Sequence, residues 1–414
     1  MSYPVLLQLY EVTAKSPSDA EVRVALSRVA MEVNARYQSG AATSSEFMTS
    51  VIEALKGISG PANAELRINC FIDASHFFYL IGQTFSAIEP AADAVKLATE
   101  VGHKPLLRKA LTLLGMVYAD TGNISQAIEC YDKGLYIAQS SRDNEGECGV
   151  WINLGVALLY AAQYRDAVAC LEHVIRIAGS SPPLQRFRSI AFSNIALCSL
   201  HLEDFARGLK AAEICIKESA EPHTSADLVS RVLRENYYTR LLLEVNSIEK
   251  AGERVEIARK YAARSNSARA DIAASIADGL YQVHAGRVDL GISRLTITLE
   301  RARLLRSMLR DTLAALVKAY EIVGQPERAL IYLREMMEAL RQTQQENALK
   351  HVNMHLAQLS EDHADEAPIT ARLKRQEAAL QGKVAEQELF RSRIEMLERL
   401  AVTAELRDDS TGEH

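Results

Sequence analysis

The chain has 414 residues, of which 48% are hydrophobic, 24% charged and only 6% aromatic, which excludes a disordered or low-complexity protein and favours helices over sheets. Its 47 Lys and Arg against 53 Asp and Glu give a formal charge of −6, which excludes a polycation that neutralises nucleic-acid phosphates. No apolar run approaches the ~20 residues that span a bilayer, and the first residues lack the basic start of a secretory signal. The composition therefore predicts a cytoplasmic protein without a membrane or nucleic-acid partner.

Residues 1–64 form the first predicted segment. Apolar periodicity over residues 5–58 indicates helices, which we interpret as a degenerate repeat or as an N-terminal cap with a polar outer face. The six cysteines along the chain are dispersed and form no C-x-x-C motif. This spacing predicts small core residues of a protein in a reducing compartment rather than disulfides.

Residues 65–345 repeat with a period of about forty residues. A small or β-branched anchor residue recurs at intervals of 40, 40, 41, 43, 40 and 38, namely Ser75, Gly115, Gly155, Ala196, Thr239, Gly279 and Val317. Gly or Ala near the seventh position after the anchor predicts the end of one helix, because Gly tolerates a left-handed turn. A small residue twelve positions after the anchor predicts where a second helix meets the first. The pattern predicts an all-α solenoid of about seven helix hairpins.

The residues Leu114-Gly115-x-x-Tyr118 and Ala127-x-x-x-Tyr131 resemble the tetratricopeptide (TPR) repeat, although the period here is longer than the ~34 residues of the standard repeat. The resemblance implies a superhelix whose concave groove, lined by first helices, binds a peptide or protein segment. The repeats contain no P-loop, G-x-S-x-G or H-E-x-x-H motif, so they carry no recognisable catalytic chemistry.

Two asparagines are candidate ligand-binding residues in this groove. Asn153 and Asn194 each stand two residues before an anchor, one repeat apart on adjacent first helices. TPR peptide receptors, which the sequence resembles, place Asn on this inner face, where one side chain can donate to and accept from a peptide backbone. The alternative is that both amides form hydrogen bonds between or within helices.

Residues 231–310 are locally basic, with 15 Lys and Arg against 9 Asp and Glu. Arg231 and Arg234 are the candidate residues for docking an acidic peptide or partner domain, with further charge from Arg240, Arg254, Arg259 and Arg264. The alternative is a solvated outer face of the solenoid.

Residues 346–404 are predicted to form a coiled-coil connector. A short seam of Leu349, Val352, Leu356 and Leu359 precedes a break at Pro368, and a second heptad pattern follows with several polar seam positions. We expect a parallel homodimer through this segment. The alternative is a single amphipathic helix that folds back on the last repeat.

Residues 397–414 resemble the opening of an HD-GYP cyclic-di-GMP phosphodiesterase domain, with matches at Glu405, Arg407, Asp408, Thr411, Gly412 and His414. The resemblance implies that His414 is a metal ligand in a complete domain, which would hold a divalent metal pair, Fe or Mn. The remaining HD-GYP motifs are missing after residue 414, so we expect a truncated domain over residues 405–414, with neither catalytic residues nor a cofactor in this chain. The alternative is a chance match in an acidic tail.

Together these patterns predict the sensory region of a bacterial HD-GYP phosphodiesterase, in which a ligand in the TPR groove signals through a coiled coil. The alternative function is a stand-alone TPR scaffold or peptide-responsive regulator without enzymatic activity.

Overall fold

A computed structural model describes residues 3–13, 19–39, 44–58 and 63–344 of the chain. These residues form seventeen α-helices and one short 3-10 turn, Pro182–Leu184, and no strand occurs within these ranges. The predicted all-α class is confirmed.

Three helices precede the repeats: α1, Pro4–Thr13; α2, Asp19–Ser39; and α3, Ser45–Lys56. Helix α1 packs on α2 and α3, and both of these pack on the first helix of the repeats, α4. The contact between α2 and α4 includes a hydrogen bond of 3.0 Å between the Tyr37 hydroxyl and His76 Nδ1. The N-terminal helices therefore continue the helical array.

Seven helix hairpins follow, one for each predicted anchor. Within each hairpin a first and a second helix pack antiparallel, as the short connections require. The pairs are α4, Ala64–Leu80, with α5, Thr84–Glu100; α6, Lys104–Asp120, with α7, Ile124–Ser140; α8, Asn144–Tyr160, with α9, Tyr164–Ala178; α10, Gln185–His201, with α11, Phe205–Glu218; α12, Ser225–Glu244, with α13, Ile248–Ser265; α14, Ala268–His284, with α15, Val288–Ala302; and α16, Arg306–Ile322, with α17, Pro326–Gln344.

The turn after each first helix has a left-handed residue at the predicted position. The backbone φ angle is positive seven residues after all seven anchors, at Gly82, Gly122, Ala162, Glu203, Asn246, Gly286 and Gly324. Four of these residues are glycines, which adopt this conformation without a Cβ clash, whereas Ala162 and Glu203 adopt it at a steric cost. The repeat therefore extends through hairpins in which the glycine itself is absent.

Small residues allow the two helices of a hairpin to approach closely. The residues twelve positions after the anchors are all buried: Ala87, Ala127, Ala167, Gly208, Ala251, Gly291 and Ala329. In the first hairpin the hydroxyl of Ser75 donates to the carbonyl of Ala87 at 2.8 Å. In the sixth, a Cβ added at Gly291 would lie 2.6 Å from the carbonyl oxygen of Gly279. The anchor and the twelfth residue thus form the contact that the pattern predicted.

The array curves with its first helices on the inside. Neighbouring first helices pack side by side, whereas each second helix packs mainly between first helices. We call the surface of the first helices that points towards the superhelix axis the inner face. All six cysteines are buried and free, as predicted for core residues.

Candidate functional site

The inner face can be assigned from contacts that cross the superhelix axis. The C-terminal ends of α4, α6, α8 and α10 meet the N-terminal ends of α14 and α16, which are one superhelical turn later. The hydroxyl of Ser267, for example, donates to the carbonyl of Leu80 at 2.8 Å, across 187 positions of sequence. The solenoid therefore turns back on itself, so that its last two hairpins meet the ends of the earlier first helices.

A buried ion pair forms part of this closure. Arg269, on α14, donates through Nη2 to the Asp120 carboxylate of α6 at 2.7 Å, and both side chains are almost fully buried. The hydroxyl of Thr84 also donates to this carboxylate at 2.7 Å. Burial alone would raise the pKa of Asp120, but Arg269 outweighs that effect and holds the pKa below its ordinary value. Asp120 is therefore ionised at neutral pH and fixes α14 against α6.

A second cluster joins α16 to α8 and α10. Arg310 donates to the carbonyl of Tyr160 at 3.0 Å. Its neighbour Asp311 lies 3.5 Å from His201 Nε2 and 3.7 Å from Arg240 Nη1. Burial opposes ionisation of Asp311, but the nearby His201 and Arg240 lower its pKa to about 2. We refer to these two groups, Asp120–Arg269 and Arg310–Asp311 with their partners, as the closure network.

Burial also keeps the imidazole of this cluster neutral. The ring of His201 stacks on Tyr164 with a centroid separation of 4.7 Å. Desolvation lowers the pKa of His201 to about 4, although Asp311 favours the protonated form. The cluster therefore places one carboxylate against two guanidinium groups, Arg240 and Arg310, at neutral pH.

Asn153 and Asn194 lie near the middle of adjacent first helices. Each precedes a residue of the closure region, Tyr160 and His201 respectively, by seven positions, which is about two helical turns on the same side of the helix. Both asparagines are half-buried. The structure thus brings the two predicted side chains to equivalent places on the adjacent helices α8 and α10.

The hydrogen bonds of these asparagines bear on the two interpretations. Asn153 Nδ2 donates to the carbonyl of Gly149 at 2.8 Å, and Asn194 Nδ2 donates to the carbonyl of Ile190 at 3.0 Å. Each amide thus returns one donor to its own helix, four residues earlier, which orients the carboxamide. Peptide binding by these residues stays a prediction.

The predicted basic segment does not form one continuous surface. Arg231 Nε donates to the fully buried Glu235 at 2.8 Å, and Arg254 pairs with the same carboxylate at 3.7 Å. Arg240 belongs to the closure network. Arg234 differs from these residues because, within the described part of the chain, no carboxylate forms an ion pair with it. Docking of a partner on Arg231 and Arg234 stays a prediction.

The C-terminal predictions lie outside the described residues. These are the coiled coil of residues 346–404, the dimer that it would form, and the HD-GYP match with His414 as metal ligand. In the ranges that the structure covers, no group of three or more His, Cys, Asp or Glu side chains is arranged to hold a metal ion.

The closure network was not predicted from the sequence. The partners Asp120 and Arg269 stand 149 positions apart and no local motif links them. The sequence does show charged residues on first helices that are otherwise largely apolar. Their position alone does not indicate which residue of a distant repeat each of them contacts.

Comparison with known proteins supports the repeat assignment. Residues 106–180, from α6 to the end of α9, match the family model described as Tetratricopeptide repeat. A search of the curated proteins found no match. Of the helices that the structure describes, none is both long enough and apolar enough to cross a membrane.

Solved structures with a similar fold include a Rap protein complexed with Competence and Sporulation Factor, which is 13% identical, covers 83% of this chain and 99% of its own, and has a TM-score of 0.56. The apo form of the quorum sensor NprR from B. thuringiensis is 12% identical, covers 81% of this chain and 86% of its own, and has a TM-score of 0.50. The apo form of RapI is 14% identical, covers 67% of this chain and 99% of its own, and has a TM-score of 0.50. The chain therefore contains tetratricopeptide repeats in a helical solenoid that is similar in fold to Rap and NprR.

Proposed function

We propose that the chain is a peptide-responsive regulator that binds an extended peptide or protein segment along its inner face. The observation that carries this proposal is the pair Asn153 and Asn194, at equivalent places on adjacent first helices. Because a carboxamide both donates and accepts, two of them one repeat apart can pair with successive amides of an extended backbone. The likeness in fold to the quorum sensor NprR, and to a Rap protein complexed with Competence and Sporulation Factor, supports the same class of function.

The closure network supplies a way for binding to change the shape of the solenoid. The inner face of α8 and α10 continues directly into Tyr160 and His201, which meet α16. A ligand that binds the open and closed forms with different affinity shifts the equilibrium between them, and the shift is limited to that difference in free energy. Repacking of α16 against α8 and α10 is then the signal.

Replacing both Asn153 and Asn194 with alanine is expected to weaken peptide binding. Two lost hydrogen-bonding groups of about 1 kcal/mol each correspond to a decrease in affinity of about 30-fold. The probe is a peptide selected against the wild-type protein from a library of short random sequences, and its affinity is measured by calorimetry. The thermal midpoint of the double variant is measured alongside, and we expect it to change little.

The matched control is Asn144→Ala, which removes an exposed asparagine from the start of the same helix, α8. This variant is expected to bind the peptide with wild-type affinity. Retention of full affinity by the double variant, or loss of its fold, would assign the two asparagines to helix packing and contradict the proposal.

We further propose, from residues 397–414 alone, that the solenoid regulates an HD-GYP phosphodiesterase through a coiled-coil dimer. A stand-alone TPR regulator is the alternative. The nucleotide sequence after the His414 codon separates the two: an open frame encoding the His-Asp and Gly-Tyr-Pro motifs supports the phosphodiesterase, and a stop codon contradicts it.

A further inference from the structure

A row of apolar side chains lies on the solvent-exposed side of α15. Leu290 and Ile297 are seven positions apart on one side of this helix, and Leu304 follows at the same interval, just after its last turn. Their exposed fractions are 48%, 64% and 82%. We call these three side chains the α15 stripe.

The other hairpins have no such stripe. Leu290, Ile297 and Leu304 stand eleven, eighteen and twenty-five positions after the anchor Gly279. At the eleventh position the other six hairpins all have a polar residue: Ser86, Gln126, Asp166, Arg207, Lys250 and Arg328. At the twenty-fifth position they have Glu, Ser, Ser, Glu, Arg and Gln. Hairpin packing therefore does not require apolar residues here, and an aligned, exposed apolar row is typical of a surface that another segment covers.

The α15 stripe ends beside the last helix of the solenoid. Arg303, next to Leu304, forms an ion pair with Glu335 of α17. Ile331, which is 62% exposed, lies one turn before Glu335 on the same side of α17. The exposed apolar surface therefore reaches α17, the helix after which the chain continues.

Arginines line one side of the α15 stripe. Arg287, Arg294 and Arg301 recur at the same interval of seven positions. Arg294 pairs with Asp278 at 2.7 Å, Arg301 pairs with Asp271 at 3.2 Å, and both guanidinium groups stay partly exposed. A segment that covers the stripe is therefore expected to carry acidic side chains beside its apolar ones. A second copy of α15 fits poorly, because in an antiparallel pair the two rows of arginines would face each other.

The sequence after α17 has the required composition. Leu349, Val352, Leu356 and Leu359 are spaced as one face of a helix. Four acidic residues follow directly, and no Lys or Arg stands between positions 351 and 371: Glu361, Asp362, Asp365 and Glu366. This segment therefore combines an apolar face with an acidic end.

The connection is long enough for this segment to return to the α15 stripe. Gln344, the last residue of α17 that the structure describes, lies nine residues beyond Glu335, which is about 13 Å along the helix. Residues 345–349 span about 17 Å when extended. Leu349 can therefore reach the end of the stripe at Leu304.

One antiparallel arrangement matches both the apolar and the charged side chains. With Leu349 beside Leu304, the interval of seven residues places Leu356 beside Ile297. Residues 361–366 then run along the arginines at the start of α15.

We propose that residues 349–366 dock on the α15 stripe of the same chain, with their apolar face on the stripe and their acidic end beside the arginines. The heptads after Pro368 stay available for a coiled coil. The docking does not depend on a ligand at the inner face.

Disulfide crosslinking in the full chain tests this contact. Ile297→Cys is combined with Leu356→Cys, and the oxidised protein is analysed on a non-reducing gel and by mass spectrometry of its linked peptides. The six native cysteines are buried, so they do not compete. We expect a disulfide within one chain.

The matched control places the first cysteine on another second helix. Lys133→Cys, on α7, is exposed and stands eighteen positions after its anchor, as Ile297 does. Combined with Leu356→Cys, it is expected to form no disulfide. Absence of the Ile297→Cys disulfide, or a disulfide between two chains, would overturn the proposal, and the second result would assign the segment to a contact between copies.

Hydrogen exchange of residues 349–359 gives a second measurement that needs no added cysteine. The double variant Ile297→Ser with Leu304→Ser changes only exposed positions, so we expect it to fold, and we expect these amides to exchange at least about tenfold faster than in the wild type. Tyr136→Ser, which removes a 75% exposed side chain from α7, is expected to leave the exchange unchanged. Unprotected amides in the wild type, or undiminished protection in the double variant, would contradict docking on α15.

Discussion

Replacing Arg269 with alanine is expected to lower the free energy of unfolding by about 3–5 kcal/mol. The substitution leaves the Asp120 carboxylate, which is 2% exposed, without its counter-ion at 2.7 Å. Thr84 and Ser307 then face a charge that burial already disfavours, with no cation to compensate it. Because the pair joins α6 to α14, its loss also removes a link between the two halves of the solenoid. Urea denaturation followed by circular dichroism measures the change.

Two further variants distinguish the effect of breaking the buried ion pair from the effect of losing any arginine side chain. Arg301→Ala removes a half-exposed pair with Asp271, 3.2 Å apart, and is expected to change stability by no more than about 0.5 kcal/mol. The double variant Asp120→Leu with Arg269→Met removes both charges and is expected to be more stable than Arg269→Ala. A loss in Arg269→Ala as small as that in Arg301→Ala would contradict the closed arrangement.

Replacing Gly291 with alanine is expected to lower the free energy of unfolding by about 1–2 kcal/mol, despite the higher helix propensity of alanine. The new Cβ would lie 2.6 Å from the carbonyl oxygen of Gly279 and 2.5 Å from Val283 Cγ2. The carbonyl belongs to a helix backbone and cannot rotate away, so α14 and α15 must separate. Thermal and urea unfolding of the variant measure the cost.

Gly149→Ala is the matched control, because this glycine also lies inside a helix. A Cβ at Gly149 would meet only the Phe187 ring, at 3.8 Å, which is an ordinary contact. The substitution is therefore expected to raise stability by about 0.5–1 kcal/mol. Equal effects of the two substitutions would mean that helix propensity, rather than the close approach of α14 and α15, governs both positions.

The hairpins could be predicted from the sequence because their determinants are local. The anchors, the small residues twelve positions later and the left-handed turn between them all lie within one repeat of about forty residues. Even where the sequence has Glu203 in place of glycine, its neighbours impose the positive φ angle. The period thus identified the turn where residue type alone would not have done so.

The closure of the solenoid could not be predicted in the same way. Its curvature is the sum of small rotations between successive hairpins, so which first helices meet after a full turn is not encoded in any one repeat. The pairs Asp120–Arg269 and His201–Asp311 join residues more than one hundred positions apart. The sequence also could not show that Glu235 pairs with both Arg231 and Arg254.

The candidate binding residues were identified from the repeat frame, that is, from their positions relative to the anchors. The hydrogen bonds that they form could not be predicted in this way. The frame placed Asn153 and Asn194 on equivalent sides of α8 and α10, which the structure shows. It did not show that each amide bonds back to its own helix, because that bond depends on the side-chain rotamer.

Hydrogen exchange in the presence of the selected peptide tests the central claim, that the inner face is the binding surface, most directly. Mass spectrometry compares amide exchange in the free and the peptide-bound protein. We predict added protection in the first helices α8 and α10, and changed protection at the N-terminus of α16, where the closure network joins them. Protection confined to the second helices α9 and α11, on the outside of the curve, would contradict the claim.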